Sequence, residues 1–331
     1  MDARPPRSRR WALTTIGAAG VVDCGSSGIP AMHEKGRGMA VATTKANGLE
    51  MAYEQIGNPG DPPVLLIMGL GSQMISWHDG FCEQLADRGF HVTRYDNRDV
   101  GLSTHFTEAG IPDIAALMRG EELRAPYLVE DLAADAAGLL EALTLSPAHV
   151  VGVSMGGMIA QSLAINHPGS VRSLTSIMST PSVSIGAPTD EALAVLMSPP
   201  ATSREGYIEQ SVRTFAVIGS PGFPYDEKRQ RRIAAESYDR DPDQSGTARQ
   251  LVAILCSPDR TPGLQHVDVP ALVIHGAGDP LVQSEAGAAT AAAIPGAVFV
   301  LEEGMGHDLP EPLWSSLIDH IEDVARRADT A

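Results

Sequence analysis

One short stretch combines residue types and spacing that could do covalent chemistry: Gly152-Val153-Ser154-Met155-Gly156-Gly157. It follows the apolar run 149–153 and precedes residues 158–164, which have helical patterning. Glycines at 152 and 156 let a strand turn sharply into a helix without a Cβ clash, leaving Ser154 exposed at the turn. The helix that follows directs its free N–H groups and positive dipole end at the serine, a setting that favours an oxyanion. A serine hydroxyl is a poor nucleophile alone and needs a base oriented by a carboxylate. In the strand–turn–helix form of this arrangement the chain order is Ser, then Asp, then His. Asp279 lies in the loop after the apolar run 271–274, and His307 lies in Glu303-Gly304-Met305-Gly306-His307-Asp308, just past the run 298–301.

Of the 10 histidines, His275 is the best rival to His307, because it sits beside Asp279 at a strand end. A structural role in the turn before Gly276 suits it better. His78, His105 and His149 are excluded by position, and Asp308 is too close in sequence to His307 to orient it. An oxyanion needs two donors. The N–H of Met155, the residue after the nucleophile, is one. The loop Gly69-Leu70-Gly71-Ser72-Gln73-Met74 supplies the other, with Leu70 as the expected donor. No Gly-Lys-Ser/Thr follows that loop, so it is not a phosphate-binding loop.

These side chains can meet only if strands carry them to one edge of a sheet. Residues 49–54 alternate, with Leu49, Met51 and Tyr53 expected inward and Glu50, Ala52 and Glu54 outward, as in a half-exposed antiparallel strand. The β-rich, mostly apolar runs 64–68, 92–95, 150–153, 174–178, 271–274 and 298–301 suit strands buried on both faces. Residues 129–145 put Val129, Leu132, Ala136, Leu139, Leu140 and Leu143 on one helical face and Asp131, Asp135 and Glu141 elsewhere. The alternation of strands and helices predicts a doubly wound, mostly parallel α/β sheet. Between 181 and 265 no strand is expected. Four helical stretches, near 189–198, 203–218, 226–240 and 243–256, are separated by Pro199-Pro200, Ser220–Pro224 and Asp241-Pro242. An all-helical insertion of this kind predicts a cap over the strand ends, with the α/β core formed by 43–180 and 266–327.

The chain has 331 residues, 43% hydrophobic and 20% charged, enough for a large core and too apolar for a disordered chain. A formal charge of −17 argues against nucleic-acid binding. Cys24, Cys82 and Cys256 show no metal-ligand spacing and are too few for a disulfide scaffold. No run of about 18 apolar residues spans a membrane as a helix. Residues 1–38 carry six basic and three acidic side chains, a net +3, so the remainder carries −20. With Arg9-Arg10 ahead of a weak apolar stretch, residues 1–42 read as a leader: a disordered segment before a start at Met39, or a weak export signal. The expected location is the cytoplasm, with export as the alternative.

Residues from about 45 to 325 resemble the α/β-hydrolase superfamily, in its capped, single-domain form. The stretch Arg94-Tyr95-Asp96-Asn97-Arg98-Asp99-Val100-Gly101-Leu102-Ser103 resembles the methylesterase-like branch, in which Asp99 stands where many members have a glycine. Many relatives also have His-Gly where this chain has Met68-Gly69. The resemblance implies a cofactor-free, metal-free serine hydrolase with Ser154 as nucleophile, Asp279 as acid and His307 as base. Asp99 is expected to brace the loop near the oxyanion hole. An aspartate-nucleophile mechanism is excluded by Ser154, and the Gly-Gly-Ser-Trp-Gly turn of prolyl aminopeptidases is absent. The expected substrate is a small or apolar carboxylic ester, with Met197, Tyr207, Phe215, Val217, Ile218, Phe223 and Tyr225 as candidate pocket residues. The alternatives are another bond (lactone, thioester, carbon–carbon or perhydrolysis) and a receptor-like protein with a residual triad.

Overall fold

Eight strands form one sheet in the computed structural model, which describes residues 40–114 and 124–330. The leader read in residues 1–42 lies, up to residue 39, outside the described residues. Strands β1 (Ala42–Ala46) and β2 (Leu49–Ile56) make an antiparallel hairpin around Asn47 and Gly48. Both turn residues have positive φ, as a two-residue hairpin turn demands. Then come β3 (Pro63–Ile67), β4 (His91–Tyr95), β5 (Ala148–Val153), β6 (Val171–Ile177), β7 (Ala271–Gly276) and β8 (Val298–Glu302). The spatial order is β1-β2-β4-β3-β5-β6-β7-β8. β2 pairs antiparallel with β4, and every pair from β4 to β8 is parallel.

Strand alternation divides the core into two layers. Leu65, Ile67 and Val150 pack with α2 (Val129–Ala142) and α3 (Met155–Asn166) on one face. Val64, Leu66, Val151 and Val153 pack with α1 (Asp79–Asp87) and the C-terminal helix on the other. That last helix, Trp314–Thr330, buries Trp314, Leu317, Ile318, Ile321, Val324 and Ala325, a stripe at helical spacing. The middle of the sheet is therefore covered on both faces, as the apolar runs imply.

Between β6 and β7 the chain forms α4 (Asp190–Leu196), α5 (Arg204–Ile218), α6 (Glu227–Arg240), α7 (Ser245–Cys256) and the short α8 (Thr261–Leu264). Side chains of Thr189, Ser203 and Asp226 accept N–H groups from the first turns of α4, α5 and α6 and so set where those helices begin.

Three expectations need correction. Ala52 and Glu54 are buried, not outward, because Glu54 pairs with Arg94 opposite it on β4, with Nε–Oε2 at 2.8 Å. Asp135 is likewise buried on α2, where it accepts two hydrogen bonds from Arg98 at 2.5 and 2.6 Å. The run 298–301 is not covered on both faces: β8 is the sheet edge, and Val298, Phe299 and Leu301 are exposed.

Candidate active site

Ser154 sits at the junction of β5 and α3 with φ 55°, a left-handed backbone that non-glycine residues adopt only when their surroundings enforce it. The surroundings are tight. A Cβ on Gly152 would overlap the Gly156 carbonyl, and one on Gly156 would overlap the Ile67 carbonyl at the end of β3. Two hydrogen bonds to the Ser154 main chain lock the turn. Ser154 N–H donates to Ile177 C=O at 2.9 Å, and the Ser179 hydroxyl donates to Ser154 C=O at 2.8 Å.

His307 and Asp279 converge on this serine from the loops after β8 and β7. His307 Nε2 lies 3.0 Å from Ser154 Oγ, and His307 Nδ1 lies 2.7 Å from Asp279 Oδ2. A carboxylate only accepts, so Nδ1–H donates to Asp279, which leaves Nε2 free to accept from the serine hydroxyl. Asp279 Oδ1 also accepts the N–H groups of Leu281 and Val282 at 2.9 and 3.0 Å. Burial alone would raise the Asp279 carboxyl, but attraction to His307 and the bonds from His307 and the Val282 N–H hold it below the usual carboxylate range. It stays a charged acceptor.

The rival His275 is fully buried, with Nε2 2.7 Å from Val282 C=O and 3.6 Å from Asp279 Oδ2. Asp308 bonds instead to the Ser220 hydroxyl, and burial pushes its carboxyl up. The His307 loop is fastened to the segment after α5: His307 N–H donates to Ile218 C=O at 2.7 Å, and Gly306 N–H to Ser220 Oγ at 2.9 Å. No local motif announces this clamp in the sequence. His78 caps α1 by accepting the Gly80 N–H, His105 bonds Gly101 C=O, and His149 meets Ser173 inside the sheet.

Met155 is the first residue of α3, so its N–H has no acceptor one turn back. The Gly69 backbone approaches Ser154 closely enough that an added Cβ would stand 3.1 Å from the serine Cβ. Within the next loop residues, Gly71 N–H is taken by Gln250 Oε1 at 2.9 Å, whereas no hydrogen bond among the described residues engages the Leu70 or Met155 N–H. Asp99, with φ 71°, bonds Arg249, the Tyr127 hydroxyl and the Phe106 N–H, tying the loop after β4 to α7.

Ser154 and His307 open into a cavity of about 1320 Å³ between the sheet end and the inserted helices. Of the candidate pocket residues, Met197, Tyr207, Phe215, Ile218 and Tyr225 line it, whereas Val217 and Phe223 line a separate hollow of about 280 Å³. Among the described residues lining the larger cavity, Arg229 is the only lysine or arginine, and its guanidinium stacks on Trp314 at 5.6 Å from the ring centre. Among the described residues, no group of three or more His, Cys, Asp or Glu converges as a metal site, and no helix is long and apolar enough to cross a membrane.

A strained serine at a strand-to-helix turn, on a mostly parallel eight-stranded sheet, defines a class of fold. The chain belongs to the α/β-hydrolase fold family, whose sequence pattern matches residues 62–311. It is 32% identical over 298 residues to rhodomycin D methylesterase DauP of Streptomyces sp. (strain C5), covering 81% of this chain and 93% of that protein. With rhodomycin D methylesterase DnrP of Streptomyces peucetius it shares 31% identity over 297 residues, with the same coverage, 81% and 93%. Among solved structures it is similar to the enol-lactonase from Burkholderia xenovorans LB400, at TM-score 0.64 and 25% identity, covering 86% of this chain and 100% of that one.

Proposed function

We propose that this α/β-hydrolase cleaves carboxylic esters through an acyl-enzyme on Ser154. The observation that carries the reading is the hydrogen-bonded series Ser154–His307–Asp279, opening into a large cavity. The similarity to methylesterases over most of the chain supports ester hydrolysis as the activity. Ser154 Oγ attacks the ester carbonyl carbon while His307 Nε2 takes its proton. Asp279 holds the Nδ1–H and balances the imidazolium charge. The N–H groups of Leu70 and Met155 receive the oxyanion, where fixed donors in a dry site are worth most. Collapse expels the alcohol, which takes the proton from His307. Water then repeats the sequence on the acyl-enzyme and releases the acid.

The helices in 181–265 act as a cap, and their apolar side chains favour substrates with a bulky apolar acyl or alcohol part. No step needs a cofactor. The test is labelling with a fluorophosphonate beside turnover of a series of p-nitrophenyl esters. Ser154→Ala is expected to lose the label and to lower kcat about 10⁶-fold while its circular dichroism is unchanged. Retention of more than about 1% of turnover would move the nucleophile elsewhere.

A further inference from the structure

The loops after β3 and β4 are held by a helix from the insertion. Gln250 on α7 has no exposed surface and bridges the two loops. Its Oε1 accepts the Gly71 N–H at 2.9 Å, and its Nε2 donates to Arg98 C=O at 2.7 Å. Thr247, almost one turn earlier on α7, fills the space beside Gly71, where an added Cβ would meet its Oγ1 at 2.6 Å. Residues 69–72 form a turn closed by Ser72 N–H to Gly69 C=O at 3.2 Å. Gly71, its third residue, has φ 65°. Positive φ at that place marks the turn type whose central peptide is flipped relative to the commoner one. The central peptide here is Leu70–Gly71, and Gln250 grips its N–H.

A glutamine is an expensive way to fill this space. Burying an amide is unfavourable unless both ends find partners, whereas a methionine of similar length would pack with no such requirement. Both ends here find main-chain groups, one of them in the loop whose Gly69 approaches Ser154. With Gly71 N–H occupied, Leu70 N–H is left as the donor free to face an oxyanion.

We propose that Gln250 is a positioning residue for the oxyanion site, fixing the Leu70–Gly71 peptide and hence the Leu70 N–H beside Ser154. This rests on the reading of Leu70 and Met155 as oxyanion donors. The insertion then sets catalytic geometry as well as covering the substrate, so disturbing Gln250 alters kcat rather than KM.

The test uses the full chain, with kcat on a p-nitrophenyl ester normalised to sites titrated by a fluorophosphonate, so that only competent molecules count. Gln250→Met removes both bonds at nearly constant volume. It is expected to lower kcat by about 10- to 100-fold, less than the roughly 10²- to 10³-fold loss on deleting an oxyanion donor, with KM within about twofold. Gln250→Glu, held neutral by complete burial, keeps an acceptor for Gly71 N–H and offers an O–H to Arg98 C=O, and is expected to hold kcat within about threefold of the parent. An unchanged kcat in Gln250→Met, or a rise in KM in its place, would overturn the proposal. Should Gln250→Met not fold, Gln250→Glu decides: about threefold or less supports the Gly71 contact, and a tenfold fall or more overturns it. The two levels of inference fail differently. An unlabelled parent, or an active Ser154→Ala, sinks the hydrolase mechanism itself. A labelled parent with an inactive Ser154→Ala and an unaffected Gln250→Met sinks only the role of Gln250.

Discussion

At the scale of single residues, two histidines touch Asp279, and their geometry separates them. His307 receives the full hydrogen bond at 2.7 Å, whereas His275 stands 3.6 Å away and spends its Nε2–H on Val282 C=O. Asp279→Asn keeps the shape but offers an amide that can present a donor to Nδ1 and carries no charge. A fall in kcat of about 10⁴-fold is expected, read by steady-state kinetics on the same p-nitrophenyl ester. His275→Gln should cost far less, and a reversal of those two results would reassign the loop. The meeting of Ser154, Asp279 and His307 was legible because a local motif and a fixed chain order mark them. Gln250 was not, since its two partners lie 179 and 152 positions away and no short pattern connects them. The burial of Asp135 was hidden for the same reason: it depends on an arginine from another element, 37 positions distant.

At the scale of elements, the sheet was readable where helices cover both faces and misread at its borders. β1 has too few apolar residues to announce itself, although Asn47-Gly48 is a hairpin signal that points to a strand on either side. β8 has the apolar run of a central strand but only β7 beside it, and composition alone does not reveal which strand is last in space. The junction of β5, α3 and β3 makes a sharper claim. Gly156→Ala would press a methyl group into the Ile67 carbonyl, so a loss of about 3 kcal/mol is expected in urea unfolding, with little folded, active protein. The joint between α7 and the loop after β4 makes another. Arg249 and Asp99 are both buried and doubly bonded, at 2.9 and 2.7 Å. Arg249→Met strands a carboxylate inside the protein and should destabilise by about 3–5 kcal/mol. The double variant with Asp99→Asn should recover much of that loss, which a double-mutant cycle would measure.

At the scale of the whole molecule, acid stability has an identifiable contributor. His149 is buried in β5, next to Ser173 and 3.4 Å from Asp329. Burial lowers its pKa, an effect that Arg172 and Arg326 reinforce and Asp329 only partly offsets. The folded protein therefore binds this proton more weakly than the unfolded chain, whose histidine titrates near about 6.5. Above that pH the contribution to stability is complete, and it is lost as pH falls below it. Tm should drop more steeply between about pH 7 and pH 5 in the parent than in His149→Gln, as scanning calorimetry would show.

The spacing of Ser154 and His307, 153 positions apart although their side chains are in contact, also bears on how the protein comes into being. A ribosome delivers the chain from its N-terminus. The serine turn can form once β3, β5, α3 and β6 have emerged, yet the imidazole assigned to activate it must wait for β7 and β8 to dock. On the proposed assignment, each newly made molecule passes through a period in which its nucleophile is already in place but chemically silent. Esterase activity in a translation reaction should therefore lag behind the appearance of chains long enough to contain Ser154.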